Sequence, residues 1–276
     1  MKFCCFEQEN QKFLGLKTSD GLIKLGLVSR ENFWLGEIDR ANPDIEKAEI
    51  IPEREVKLLP PVLYPPKILC VGLNYARHIE ETKLDKPREP LFFAKLSNAL
   101  AGPSAEFILN DFTYQVDYEG ELVVVIGKTG KNIPKKQALD YVWGYTIGND
   151  ITDRRLQFSS SQWLRGKSLD LSAPIGPYLV TKDEIDLKEA EIVTRRNQTV
   201  VQRAKLSEML FAIPEIISHI SQTMTLEEGD LIFTGSPSGS IIGMPETNQK
   251  WLDDGDIVSV TIEPIGTLTT YFKKAI

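Results

Sequence analysis

Histidine is scarce in this chain: His78 and His219 are the two imidazoles in 276 residues. A site needing two or three imidazoles is therefore nearly excluded, and any metal must be held mainly by oxygen, which points towards magnesium or manganese. Cysteine is scarce too. Cys4, Cys5 and Cys70 are odd in number, include an adjacent pair and show no Cys-x-x-Cys spacing, so neither a disulfide framework nor a zinc knuckle is indicated. Positive charge is in deficit, with 32 Lys and Arg against 39 Asp and Glu and a formal net charge of −7. A broad nucleic-acid footprint is built from clustered Lys and Arg, so no nucleic-acid partner is expected. No apolar run approaches the roughly 20 residues that span a bilayer, and the opening MKFCCFEQEN turns polar too soon for a signal peptide. A cytoplasmic protein without a membrane partner is the expectation. Long-period repeats, heptad arrays and low-complexity tracts are also missing, which leaves solenoids, propellers and coiled coils without support.

What remains is an ordinary globular balance, 42% apolar and 26% charged, in a chain long enough for one substantial core. Residues 13–28 form two apolar-rich runs around Ser19-Asp20-Gly21, which predicts a β-hairpin. A polar stretch follows, and then residues 58–66 carry four prolines, which disfavour helix and central strand alike. The boundary is placed there, giving a small β-rich N-terminal domain over 1–62 and a main domain over 63–276. In the main domain, residues 67–71 predict a short strand ending at Gly72, with a polar helical turn over 74–81. Strand-length apolar runs recur at 121–126, 141–147, 178–181, 230–234 and 257–262. The clearest helix lies over 206–221, where Pro214 should kink or restart it. The predicted fold class is mixed, β-rich α+β.

Glu119 and Glu121 stand two apart, so a strand sends both carboxylates to one face, which Val123 and Val125 continue. A divalent cation is the commonest way to keep two such desolvated carboxylates ionised, and a solvent-facing strand end is the plainer reading. Asp150 ends another strand-like run and brings a third carboxylate to the mouth of a sheet, a set that suits an oxygen-rich octahedral site. His78 and Glu81, three apart, share a face of a helical turn. There a carboxylate can fix the imidazole's tautomer and raise its basicity, or the two can be a casual surface pair. Lys167 by itself reads as a solvated lysine. Thr234, Gly235 and Ser236 form a turn whose backbone amides could meet an anion, although a plain turn explains them equally well. His219 is assigned to helix packing or surface. Asp253-Asp254-Gly255-Asp256 reads as a β-turn, since it lacks the far glutamate of a calcium loop.

Taken together and in order, seven segments resemble the fumarylacetoacetate hydrolase family from about Ile68 to the C-terminus. They are Gly72-Leu-Asn-Tyr-Ala-Arg-His78-Ile-Glu-Glu81, Pro90-Leu-Phe-Phe-Ala-Lys95, Tyr118-Glu119-Gly-Glu121-Leu, Gly144-Tyr-Thr-Ile-Gly-Asn-Asp150, Gly166-Lys167-Ser-Leu-Asp170, Gly176-Pro177 and Gly229-Asp-Leu-Ile-Phe-Thr234-Gly235. The resemblance implies rolled mixed β-sheets, a homodimer, and Mg²⁺ or Mn²⁺ held by Glu119, Glu121 and Asp150. It further implies that His78 and Glu81 form a dyad on a segment that closes over substrate, that Lys167 assists at the bound substrate, and that Gln157 and Thr234 contact it.

The activity so implied is divalent-metal-dependent cleavage of a C–C bond in small 2,4-dioxo acids, of the acylpyruvate or fumarylpyruvate kind. Oxaloacetate decarboxylation or tautomerisation, and isomerisation of the 2-hydroxyhepta-2,4-diene-1,7-dioate type, use the same enolate and stay open. So does a catalytically idle member that binds metal and metabolite and acts through a partner. The sequence departs from the family pattern at Leu96, where a proline is common, at Ser236, where a threonine is common, and at Asp153 and Arg155, which break an Ala-Arg-Asp run. Arg155 could bind a second substrate carboxylate or form a surface ion pair.

Overall fold

The computed structural model describes residues 1–29 and 49–275. Three strand pairings decide where the site sits. Gly120–Ile126 is an apolar run buried along its whole length, as expected of a strand covered on both faces. Val142–Asn149 pairs with it antiparallel, setting Gly120 opposite Asn149 and Glu121 opposite Gly148. On its other edge Gly120–Ile126 pairs antiparallel with Leu231–Phe233, which in turn runs parallel to Ile68–Gly72. The start of one strand and the ends of three others therefore meet at one end of the sheet.

That sheet is large and mixed. From edge to edge its main path runs Ile50–Ile51, Leu22–Leu27, Gln11–Lys17, Lys2–Gln8, Ala173–Thr181, Val142–Asn149, Gly120–Ile126, Leu231–Phe233, Ile68–Gly72 and Leu91–Lys95. The expected hairpin is present as Gln11–Lys17 and Leu22–Leu27, with Thr18 Oγ1 accepting from the Asp20 and Gly21 amides in the turn. The expected division after residue 62 does not separate two sheets, because Lys2–Gln8 pairs directly with Ala173–Thr181. Residues 30–48 of the polar stretch lie outside the described residues. A second sheet orders Thr199–Lys205, Glu191–Arg196, Ile257–Ile262, Gly266–Lys274 and Ala105–Leu109.

Side-chain alternation along Gly120–Ile126 divides the core. Leu122, Val124 and Ile126 pack with Ile213, Ile216, Ile217 and Ile220, and with Val260 and Ile262 of the second sheet. Val123 and Val125 face the other way, into a cluster with Cys70, Ile175 and Phe233. Parity then assigns Glu121 to the Val123 side, and a one-residue slip would move three large apolar side chains out of their cluster. Gly120 is needed for this packing: a Cβ there would lie 2.2 Å from Thr194 Oγ1 on the second sheet.

The helix expected over 206–221 is shorter and later. Leu206–Glu208 is a 3₁₀ turn and the α-helix spans Ile213–Thr223, with Pro214 in its first turn. Proline has no N–H to give, so it starts this helix and does not kink it. No helix among the described residues is long and apolar enough to cross a membrane.

Candidate active site

At the sheet end described above lies a cavity of about 500 Å³. On its floor are Glu119, Glu121 and Asp150, all buried, each offering an oxygen within 4.8 Å of the others'. Backbone pairing holds them there. The Glu119 amide donates to Asn149 Oδ1 at 3.0 Å, and the Asp150 amide donates to the Glu119 carbonyl at 2.8 Å. The Gly235 amide donates to Glu121 Oε2 at 2.6 Å, from a turn at φ +96° that glycine adopts without strain.

Three buried cations compensate most of this charge. Lys167 Nζ bridges Glu119 Oε2 and Asp150 Oδ2, the latter at 2.6 Å. Lys95 Nζ donates to Asp150 Oδ1 at 2.6 Å and to the Ile151 carbonyl at 3.0 Å. Arg154 spends its guanidinium on Asp117 at 3.0 Å, Glu119 at 2.8 Å and Gln157 Oε1 at 3.0 Å. Glu121 is left without a cationic partner among the described residues, since its hydrogen bond comes from a neutral amide.

The electrostatics follow from that census. Burial pushes Glu121 well above the usual carboxylate range, and the charges of Asp150 and then Glu119 push it further. Burial acts on Glu119 in the same direction, but Arg154 and Lys167 outweigh it and hold that carboxyl below its ordinary value. For Lys167, burial is outweighed by Asp150 and Glu119, which keep the ammonium charged. Lys95 is held below its ordinary value by burial, which exceeds the pull of Asp150.

Three converging carboxylates, one of them lacking a cation, are a donor set that fits a hard divalent ion. No imidazole or thiolate is required. Glu119, Glu121 and Asp150 would hold such an ion, with Lys95, Lys167 and Arg154 orienting Asp150 and Glu119 through their hydrogen bonds.

The sequence-predicted residues do not all converge. His78, Glu81, Lys167 and Gln157 line the cavity with the three carboxylates. His78 is carried by the helix Ala76–Thr82, its Nε2 lying 3.9 Å from Glu119 Oε1 and its Nδ1 finding no hydrogen-bond partner among the described residues. Burial is the main reason its imidazole titrates below the ordinary value, against the opposing pull of Glu119. The expected His78–Glu81 contact is not made, because Glu81 Oε2 accepts from the Gly239 amide at 2.9 Å. Thr234 and Gly235 sit behind the wall: Thr234 Oγ1 donates to the Leu122 carbonyl at 2.9 Å, and Gly235 braces Glu121. Arg155 lies outside the cavity, its guanidinium 3.7 Å from the Tyr114 ring centroid.

Four contributors were not singled out from the sequence. Lys95 and Arg154 are described above. Asp117 is buried and takes the Ile241 and Ile242 amides at 2.8 and 3.1 Å, tying the loop that forms one cavity wall to Arg154. Asn74 ties the turn after Gly72 to two others, through the Thr234 carbonyl at 2.7 Å and the Phe211 amide at 2.7 Å. The signals were present: Asp117, Glu119 and Glu121 keep one period of two, and Arg154 and Gln157 are three apart on a helical turn. His219 stacks on Phe92 at 6.1 Å, away from the site, as its assignment to packing or surface anticipates.

Comparison with known proteins agrees with this geometry. The family model for the fumarylacetoacetate (FAA) hydrolase C-terminal domain matches residues 67–273. An uncharacterized protein of Archaeoglobus fulgidus is 45% identical over 218 residues, which are 79% of this chain and 82% of that one. Among solved structures, a fumarylacetoacetate hydrolase from psychrophilic Exiguobacterium antarcticum is 36% identical with a TM-score of 0.87, covering 100% of both chains. A 5-carboxymethyl-2-hydroxymuconate delta-isomerase from Mycobacterium smegmatis is 31% identical with a TM-score of 0.81, again over 100% of both. With the match spanning the whole segment that builds the carboxylate floor, this chain belongs to the fumarylacetoacetate hydrolase family.

Proposed function

We propose that this chain is a divalent-metal-dependent hydrolase that cleaves a C–C bond in small 2,4-dioxo acids. The observation that carries the reading is the carboxylate trio Glu119, Glu121 and Asp150 on the floor of a cavity whose wall presents a buried neutral imidazole, His78. Glu119, Glu121 and Asp150 would hold Mg²⁺ or Mn²⁺, which would supply positive charge to stabilise the negative charge that grows on the substrate as the bond breaks.

The chain's own residues supply the rest. His78 takes a proton from water as its oxygen adds to the C4 carbonyl. The C3–C4 bond then breaks, the acyl part leaves as a carboxylic acid, and the electron pair goes to C3 as the enolate of pyruvate. A proton returned to C3 completes pyruvate. Lys167, whose ammonium is held charged, lies where it can face developing negative charge, and Gln157 lines the same cavity as a substrate contact. Glu81, on the same helix as His78, is proposed to orient and charge-balance the imidazole when substrate is present. A cytoplasmic homodimer is part of the proposal.

An isomerase reading has specific support from the likeness to the Mycobacterium smegmatis delta-isomerase, and it would use the same carboxylates with proton transfer in place of water attack. The test is a steady-state panel of acetylpyruvate, fumarylpyruvate, oxaloacetate and a hydroxymuconate-type diacid with Mg²⁺, Mn²⁺ or EDTA. Pyruvate released from a 2,4-dioxo acid only with metal supports the hydrolase. A double-bond shift in the diacid with no hydrolysis of the others selects the isomerase.

A further inference from the structure

We infer that the outer part of the active-site cavity is built for an uncharged, apolar tail, so that the natural 2-oxo acid carries a single carboxylate. The inference rests on the reading of the floor as a 2-oxo-acid site and adds what the far end of the substrate must be.

Charge is densest on the cavity floor, and the outer lining is mostly apolar apart from the exposed Glu81, Lys83 and Glu246. The carboxylates and their cations occupy the buried floor, with Glu121 2% exposed. Outward, the lining changes to Leu73, Leu84, Phe158, Trp163, Ile242 and Met244. Phe158 and Leu84 are 51% and 40% exposed, which places them at the mouth. These six side chains come from separate segments: the turns after Gly72 and Thr82, the ends flanking the two short helices Arg154–Gln157 and Leu164–Lys167, and the loop from Ile241. The wall is fixed where it is deepest. Trp163 packs edge-on against Phe93 at 5.5 Å, and a Cβ on Gly72 would lie 3.2 Å from the indole. The Ile242 amide is held by Asp117.

Among the described residues, no buried cation of the cavity is free to receive a second carboxylate. Three cations line the cavity, Lys83, Arg154 and Lys167. Arg154 is engaged by Asp117, Glu119 and Gln157, and Lys167 by Glu119 and Asp150. Lys83 is unpaired among the described residues but exposed at the rim beside the acidic Glu81 and Glu246, where a solvated ion pair contributes at most about fivefold in affinity, about 1 kcal/mol. Arg155, the sequence candidate for binding a second carboxylate, lies over Tyr114 and outside the cavity. A distal carboxylate held inside the cavity would lose water against apolar side chains and gain no buried cationic partner among the described residues. An alkyl or aryl tail would instead cover them, with roughly a fourfold gain in affinity for each methylene fully buried.

The experiment compares two non-cleavable probes of equal length, 2-oxohexanoate and 2-oxoadipate, by calorimetric titration of the Mn²⁺-loaded protein in salt high enough to screen its net charge. The expected result is at least tenfold tighter binding of the monoacid, further tightening with 2-oxooctanoate, and a narrowed or reversed preference in Met244→Lys, whose fold is checked by its melting curve. Equal or tighter binding of 2-oxoadipate by the wild type overturns the inference. Because neither probe has a 2,4-dioxo unit, the hydrolase reading can fail separately, as absent turnover of acylpyruvates with the binding preference intact. Failure of both probes to bind overturns the 2-oxo-acid site itself and the inference with it.

Discussion

Replacing Glu121 by Gln should make the metal-free protein more stable at neutral pH and the metal-loaded protein less so. Glu121 is 2% exposed, has the Gly235 amide as its hydrogen-bond donor, and lies with Glu119 and Asp150 in a group whose oxygens are within 4.8 Å of one another. Two unit charges at that separation repel by about 3–4 kcal/mol at an effective dielectric of about 20. Lys95, Lys167 and Arg154 offset part of this for the other two carboxylates, so the residual strain collects on Glu121. Its folded-state pKa is therefore raised, by burial first and by Asp150 and Glu119 next, above the unfolded value of about 4.3. A raised carboxyl contributes stability that is complete below about pH 4.3 and is lost as pH rises towards the folded value, at about 1.4 kcal/mol per pH unit.

Glutamine carries no such proton. Urea denaturation in EDTA should then show the wild type losing stability relative to Glu121→Gln as pH rises above about 4.3, at up to about 1.4 kcal/mol per pH unit. Excess Mn²⁺ should reverse the order, adding about 2.7 kcal/mol to the wild type at one hundred times its dissociation constant and little to the variant. Parallel stability profiles with equal Mn²⁺ stabilisation would refute both the charge imbalance and the metal assignment.

Other expectations follow from single contacts. At metal saturation the acid limb of kcat/KM should fall below about pH 6.5, because burial favours the neutral form of His78; a limb centred above that value would contradict its role as base. Gly120→Ala should cost about 1–3 kcal/mol in urea denaturation, since the new Cβ meets Thr194 Oγ1 at 2.2 Å. Arg155→Ala should leave kcat/KM within about twofold, as expected of an exposed side chain outside the cavity. Arg154→Ala should cost about 3–5 kcal/mol by leaving buried Asp117 without its cation and Glu119 with Lys167 alone.

The strand that begins just after Glu119 and carries Glu121 was legible because an apolar run with period two fixes both its existence and the side Glu121 takes. Asp150 was legible for a related reason, ending a buried strand that pairs beside them. Cation placement was harder. Lys95 looks like any lysine ending a strand until the fold brings Asp150 to it across 55 residues, and residue type alone does not set Arg154 apart from its neighbour Arg155. Spacing could have separated those two, since Arg154 shares a helical face with Gln157 and Arg155 does not. The His78–Glu81 pair shows the opposite limit: a three-residue spacing permits the contact, yet the Gly239 amide competes for the same carboxylate. The division after residue 62 was drawn at a proline cluster, while the pairing of Lys2–Gln8 with Ala173–Thr181 is a long-range contact that composition does not encode.

The central claim is that Glu119, Glu121 and Asp150 bind a metal beside which His78 performs base chemistry on a 2-oxo acid. It is tested most directly by pyruvate release from acetylpyruvate, measured for wild type, Glu119→Ala and His78→Ala together with the Mn²⁺ content of each protein. The account predicts one Mn²⁺ and EDTA-sensitive turnover for the wild type, loss of both metal and turnover in Glu119→Ala, and retained metal with kcat lowered by about 100-fold or more in His78→Ala. Full activity and stoichiometric Mn²⁺ in Glu119→Ala would contradict it.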